Sequence, residues 1–362
     1  MTEPIAWDMA ERVASRVAGR DPFADSYHAD SLAADFDELT VQAEALVTAT
    51  TGLVSDAGPA RARVTDRAGW VSANLRSFRR MLRPLSEKLA DKVPSSGPGA
   101  LVTRNVAGAE IGAMLGWMST RVLGQYDLLI IEDEDADDQD VVYYVGPNVL
   151  SLEKRFGFPP REFRLWLALH EVTHRAQFTG IPWLRPHFLS LIDESLGSVD
   201  PDPKRLVQAL RKATDEIRAG RNPLDEGGLV ALLASDAQRE TLAKIGGMMS
   251  LLEGHGDVTM DRAGADLIPS AERFSRVLRA RRAQRSGPAK LLQQLIGLEA
   301  KINQYAQGEA FIEAVEGAGG TDLLEQAWVG PDWLPSLTEI REPERWIERA
   351  SAARAGAAVR GA

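Results

Sequence analysis

The chain has 362 residues and no cysteine, which removes several kinds of chemistry at once. Without a thiol it can form no disulfide, offer no thiolate nucleophile and build no cysteine-ligated zinc or iron–sulfur site. Histidine is also scarce, with five in the whole chain. Any metal or acid–base chemistry must therefore come from carboxylates, hydroxyls and these few imidazoles.

Long apolar runs and a basic leader are lacking as well. No stretch approaches the roughly 18 uninterrupted apolar residues of a membrane-spanning helix, and residues 1–8 carry two acids and no base. Such a start does not resemble a secretory signal. The formal net charge of −10 argues against nucleic acid as the main partner. We therefore expect a cytoplasmic protein whose main partner is neither a membrane nor a nucleic acid.

Charge is distributed unevenly along the sequence. Seven of the nine residues from Glu132 to Asp140 are acidic, and arginines recur every three residues from 273 to 285. The acidic run begins like a calcium-binding EF-hand loop but lacks its glycine and its final glutamate, so we interpret it as a solvated loop. The arginine stripe is interpreted as a solvated helix face.

Apolar spacing predicts a mainly α fold with a small β-hairpin or sheet. Helical spacing of three and four dominates from about 7 to 82, whereas residues 126–131 and 141–145 are rich in β-branched and aromatic side chains. The acidic run between them would form the hairpin loop. We divide the chain into an N-terminal helical region (1–98), a region that carries the chemistry (99–349) and a small, polar tail expected to fray (350–362). The first two regions are expected to pack as one unit.

The most informative motif is His170-Glu-Val-Thr-His174. Histidines four apart on a helix lie one turn above each other, so both imidazoles can reach one metal ion. The glutamate after the first histidine is rotated by about 100° from it. Glu171 would therefore flank the metal without binding it, as a general base acting on water requires. The apolar residues before the motif indicate a buried helix from about 160 to 178.

Catalytic zinc usually has three protein ligands, and the third must come from elsewhere in the chain. An extended form of the motif would place a histidine at position 180, which is glycine here. We predict Glu253 as the third ligand. Asp257, one turn later, would accept the second N–H of a ligating histidine. His255 is the alternative ligand; it could join Glu253 only if the helix breaks there.

The motifs resemble a known family of proteins. Residues 170–178, 249–255 and 298–308 resemble the gluzincin type of zinc metallopeptidase. They are more closely similar to a zincin-like family of zinc-dependent metalloproteases, often labelled as associated with deazaflavin-coenzyme biosynthesis, for which no reaction is established. The resemblance implies a zincin-like architecture with His170, His174 and Glu253 as zinc ligands and Glu171 as the base.

The function predicted from these residues is that of a zinc-dependent hydrolase, with a metallopeptidase favoured. Glu171 would activate a zinc-bound water against a peptide or protein substrate. A further donor for the developing oxyanion is expected, with Tyr305 preferred and three residues as alternatives: His255, Tyr143 and Tyr144. The strand at 141–145 could form the upper rim of the cleft and pair with an extended peptide.

The alternative function is a binding or structural protein of zincin fold that has lost catalysis. Such a protein would keep zinc as a clamp between helices. The retained Glu171 favours an enzyme, because a clamp needs no base beside the metal. The sequence does not indicate the oligomeric state.

Overall fold

A computed structural model describes residues 3–23, 27–83, 98–126, 140–197, 235–283 and 298–361. The chain divides into two compact units. The first comprises residues 1–180 and 259–274, and the second comprises residues 181–258 and 275–362. These bounds differ from the sequence-based division at residues 98 and 349, because the chain crosses from one unit to the other three times.

The first unit places helices around a small sheet. Its elements are α1 (Trp7–Ala18), α2 (Tyr27–Thr51), β1 (Arg61–Thr65), α3 (Arg67–Met81), α4 (Pro98–Ser119), β2 (Gly124–Tyr126), β3 (Val141–Val145), α5 (Gly146–Phe156) and α6 (Pro160–Gly180). The last residues of helix α8 (Asp236–Gly264) and the first of α9 (Ala271–Ala283) also belong to this unit.

The sheet has the strand order β1–β3–β2. Strand β3 is central: it pairs with β1 in parallel and with β2 in antiparallel. All five β3 residues are buried, because helices cover both faces. Tyr144 stacks on Phe36 of α2, while Tyr143 clusters with Ala73 of α3 on the other face. The continuous apolar run of β3 thus reflects burial on both sides.

Helices α1 and α4 approach each other closely through small residues. A Cβ built on Gly116 would lie 2.8 Å from the Val17 Cβ and 2.9 Å from the Ala14 Cα. Gly112 faces Ala10 in the same way. The small residues of α4 therefore allow its close contact with α1.

The described elements of the second unit are helices and 3-10 turns. It contains α7 (Leu184–Gly197), residues 236–258 of α8, most of α9, α10 (Leu298–Gly319), α11 (Thr321–Leu324), α12 (Leu337–Arg341) and α13 (Pro343–Gly361), with two 3-10 turns at Glu325–Trp328 and Pro331–Trp333. Its core gathers around Leu251, Phe311 and Trp346, each without solvent exposure. None of the described helices combines the length and apolar character needed to cross a bilayer.

The predicted fold class, mainly α with a small sheet, is confirmed. The strand at 141–145 is also confirmed. It pairs in antiparallel with residues 124–126, whereas the rest of the predicted strand at 126–131 and most of the acidic run lie outside the described residues. Strand β1 was not predicted, because its sequence Arg-Ala-Arg-Val-Thr carries little apolar signal and its partner is far along the chain. Helix α13 continues through the tail to Gly361.

The prediction that the 141–145 strand pairs with a substrate is wrong. Both edges of β3 are already taken, by β1 on one side and β2 on the other. A strand added to a sheet needs an edge with open backbone groups. Among the described strands, β2 and β1 are the edges.

Candidate metal centre

The two histidines of the motif face each other on helix α6. Their Nε2 atoms are 3.2 Å apart, and the rings stand nearly perpendicular at 88°. Two nitrogens that each lie roughly 2.0–2.1 Å from one tetrahedral zinc are about 3.3 Å apart. The observed separation therefore suits a shared metal ion. Both side chains are half-buried, which leaves the pair accessible.

Glu253 completes a group of three ligand-type residues. The ligand atoms of His170, His174 and Glu253 all lie within 4.8 Å of one another. Glu253 is 5% exposed, and burial of a carboxylate is costly unless a cation or hydrogen bonds compensate its charge. Two imidazoles and one carboxylate form one of the usual ligand sets of catalytic zinc. The residues present thus fit the metal that the motif predicts.

Gln177 orients one of the ligands. Its Oε1 lies 3.0 Å from Nδ1 of His174, and its side chain has no solvent exposure. An amide oxygen only accepts, so the Nδ1 of His174 must carry the proton. The lone pair is then on Nε2, which faces His170. Gln177 thereby sets the tautomer that a metal ligand needs.

The candidate base is held against strand β2. Glu171 is 8% exposed, and its Oε2 accepts the backbone N–H of Tyr126 at 3.1 Å. Gly124, two residues earlier, lies so close that a Cβ there would be 2.7 Å from the Glu171 Cγ. Packing and a hydrogen bond therefore fix the carboxylate beside the two histidines.

Arg175 ties the motif helix to three other parts of the first unit. It is 1% exposed and donates to both carboxylate oxygens of Asp140, to Glu44 of α2 at 2.5 Å and to the Gly58 carbonyl at 2.6 Å. Asp140 is the last residue of the acidic run and the first before β3. One acid of the segment interpreted as a solvated loop is therefore a partly buried ion-pair partner of a buried arginine.

The structure does not bring His255 into the group of three. Helix α8 runs unbroken through residues 236–264, so His255 points about 200° away from Glu253. Its ring instead meets Trp328 edge to face, with centroids 5.2 Å apart. Asp257 is half-buried one turn after Glu253, and its predicted contact with a ligating histidine stays a prediction.

Of the predicted oxyanion donors, Tyr305 lies on α10, but its side chain is outside the described residues. Tyr144 has no solvent exposure and shares a 2.9 Å hydrogen bond with Thr40. Burial raises the pKa of its phenol, and the charge of Glu171 adds to that effect against the Thr40 bond. Tyr143 is buried as well. Both side chains lie in the core of the sheet, and their predicted role as oxyanion donors stays a prediction.

Together the fold and the site are typical of a zincin-type protein: a helix that carries the His-Glu-x-x-His motif, an adjoining strand that is an edge among the described strands, and a glutamate on a second helix. The family model for zincin-like metallopeptidases matches residues 5–347. Because the match spans nearly the whole chain, the protein belongs to the zincin-like metallopeptidase family.

One solved structure is similar over almost its whole length. It is the crystal structure of a proposed hydrolase with a novel fold from Chloroflexus aurantiacus, with a TM-score of 0.71 and 29% sequence identity. The alignment covers 96% of this chain and 99% of that chain. No curated protein sequence matches the chain.

Proposed function

We propose that the protein is a zinc-dependent hydrolase that cleaves peptide bonds. His170, His174 and Glu253 hold the zinc ion, and Glu171 is the general base. The observation that carries this proposal is the convergence of three ligand-type side chains within 4.8 Å, next in sequence to a buried glutamate. Zinc, when bound, polarises a carbonyl and lowers the pKa of water to about 7.

The protein's own residues handle the proton. Glu171 accepts a proton from the attacking water and then donates it to the leaving amine. The Tyr126 N–H holds its Oε2 during this cycle, and Gln177 keeps the His174 Nε2 lone pair available, so that His174 would be able to hold the metal. No cysteine exists to serve as a competing nucleophile.

Strand β2 supports a peptide or protein as the substrate. Among the described strands it is an edge of the sheet, and the backbone beside Tyr126 borders the base. An extended peptide that adds to a sheet edge gains main-chain hydrogen bonds in a fixed register. Because Glu171 already accepts the Tyr126 N–H, such a peptide would pair with the other outward backbone groups of β2, those of Gly124 and the Tyr126 carbonyl, and would lie next to Glu171. Its role replaces the one that the sequence assigned to the 141–145 strand.

Zinc content measured together with hydrolysis of a broad peptide library tests the proposal. We expect wild type and Glu171→Gln to bind one zinc each, and only wild type to cleave peptides. Glu171→Gln is nearly isosteric and keeps an oxygen for the Tyr126 N–H, so the difference isolates proton transfer. Stoichiometric zinc with no turnover by either protein would instead indicate the silent, zinc-clamped alternative.

A further inference from the structure

The outward edge of strand β2 faces the base. Val145 donates its N–H to the Leu123 carbonyl, and Gln125 pairs with Tyr143. In an antiparallel ladder the bonded residues alternate, so the backbone groups of Gly124 and Tyr126 point away from β3. The Tyr126 N–H points to Glu171 as this alternation requires.

Gly124 is a glycine for reasons of space. Its φ is not in the left-handed region, so its backbone conformation is open to other residues. A Cβ, however, would lie 2.7 Å from the Glu171 Cγ and 2.8 Å from Oε1, well inside van der Waals contact. Strand β2 is fixed by its pairing with β3, whereas the Glu171 side chain can rotate. A side chain at position 124 would therefore move the base and not the strand.

We propose that strand β2 is the positioning element of the base: Gly124 gives the Glu171 side chain its space, and the Tyr126 N–H fixes its direction. The chemical consequence rests on the proposed function, whereas the positioning itself does not. A base displaced by about 1 Å can cost on the order of 100-fold in rate. Ligation by His170, His174 and Glu253 would be untouched.

A double-mutant cycle on thermal stability tests the positioning without any substrate. We expect Gly124→Ala to lower Tm by about 2 °C or more in the wild-type background. In the Glu171→Ala background the methyl group has room, so the same change should lower Tm far less. Equal losses in both backgrounds would overturn the proposal, because the methyl group would then clash with something other than Glu171. Gly99→Ala is the control, since a Cβ there meets nothing within 4 Å.

The contact between the N–H and the base is tested by comparing Tyr126→Ala with Tyr126→Pro. Both lose the phenol ring, but proline also replaces the N–H by a ring carbon, which removes the hydrogen bond to Glu171 and pushes its carboxylate away. With zinc content equal, we expect kcat to be about tenfold or more lower for Tyr126→Pro than for Tyr126→Ala, as for other general-base losses. Equal kcat values for the two variants would show that the Tyr126 N–H does not position Glu171.

These outcomes separate the two proposals. If wild type hydrolyses no peptide, the proposed function is wrong, and the stability cycle still decides whether β2 positions Glu171. If wild type is active and Gly124→Ala keeps full kcat with normal zinc content, the peptidase stands and the positioning role is wrong.

Discussion

The two helices that carry the candidate metal ligands are held in place in different ways. Around α6, buried arginines make the contacts: Arg164 pairs with Glu153 and Asp35, and Arg175 pairs with Asp140 and Glu44. Around the Glu253 part of α8, glycines make the contacts with neighbouring segments.

The glycine contacts on α8 are backbone to backbone. A Cβ on Gly254 would lie 2.6 Å from the Glu309 nitrogen of α10, and Gly308 of α10 packs on the Ser250 carbonyl of α8 in return. Gly247 lies equally close to the backbone of residues 335–337. Gly254, the residue next to the candidate ligand Glu253, thus makes its contact through the backbone alone.

The difference shows that the helix carrying a candidate ligand can be held in place by ion pairs of defined geometry or by close backbone packing. Buried ion pairs are costly to desolvate but define one geometry, because each guanidinium must face its own carboxylates. Close helix contact needs no polar group and depends on the absence of a Cβ. The first arrangement fails when a charge is removed, and the second fails when a methyl group is added.

Removing a charge at α6 should have the largest effect. Arg175→Met leaves the partly buried carboxylates of Asp140 and Glu44 without their buried cation, and we expect a loss of about 3 kcal/mol, the lower end for a broken buried pair. Chemical denaturation would measure it. Arg161→Met is the matched control on the same helix: Arg161 pairs with Glu38 at the surface, where both side chains are more than half exposed, and we expect its stability to stay near wild type. Equal losses of stability in the two variants would contradict the role of the buried ion-pair network.

Adding a methyl group at the α8–α10 contact should come next. Gly308→Ala forces the two backbones apart, with an expected loss of about 1–3 kcal/mol and weaker zinc binding through displacement of Glu253. Gly317→Ala, on the same helix but exposed and with open space, should be neutral or stabilising by up to about 1 kcal/mol. If Gly308→Ala behaved like its control, close packing would not be what fixes α8.

A smaller effect is expected where a ligand is oriented by a neutral group. Gln177→Leu removes the acceptor for the His174 Nδ1–H and should lower zinc affinity by about 10- to 100-fold. Gln177→Glu keeps an acceptor and should restore binding. Nitrogen NMR of the metal-free protein should show His174 protonated on Nδ1 in wild type. An Nε2–H tautomer there would contradict the assigned role.

The smallest effect concerns the turn that meets Gly247. Burial raises the pKa of Glu339, but hydrogen bonds from Arg349 and Ser336 outweigh it and hold the pKa below its ordinary value. The stabilisation is therefore present above the unfolded-state pKa and disappears as pH falls through the folded-state value. We expect Glu339→Gln to cost about 1 kcal/mol at pH 7 and the gap to wild type to close in acid. A gap that is constant with pH would contradict this. Glu342→Gln, at an exposed pair, is the control.

The sequence predicts the parts of the site that follow helical spacing. Helical spacing identifies His170, Glu171 and His174, because four residues make about one turn. Glu253 can be recognised because it lies in a motif rich in small residues. Gln177 was missed, although its spacing of three from His174 places it on the same helix face. That spacing is the signal that could have found it.

The remaining features depend on contacts between distant segments. Nothing in the local sequence marks Gly124 as a neighbour of Glu171, since 47 positions separate them. Arg175 and Asp140 are charged residues that normally indicate a solvated surface, and only the folded chain places them inside. Close packing at Gly308 is equally non-local. Periodicity can identify which residues share a helix face but not what that face meets.

The central claim is that His170, His174 and Glu253 form one zinc site with Glu171 outside it. Competition titration with zinc tests this most directly. Wild type and Glu171→Gln should bind one zinc with similar affinity, while His174→Ala and Glu253→Ala should bind it at least about 100-fold more weakly. A Glu253→Ala variant that binds zinc as tightly as wild type would contradict the account.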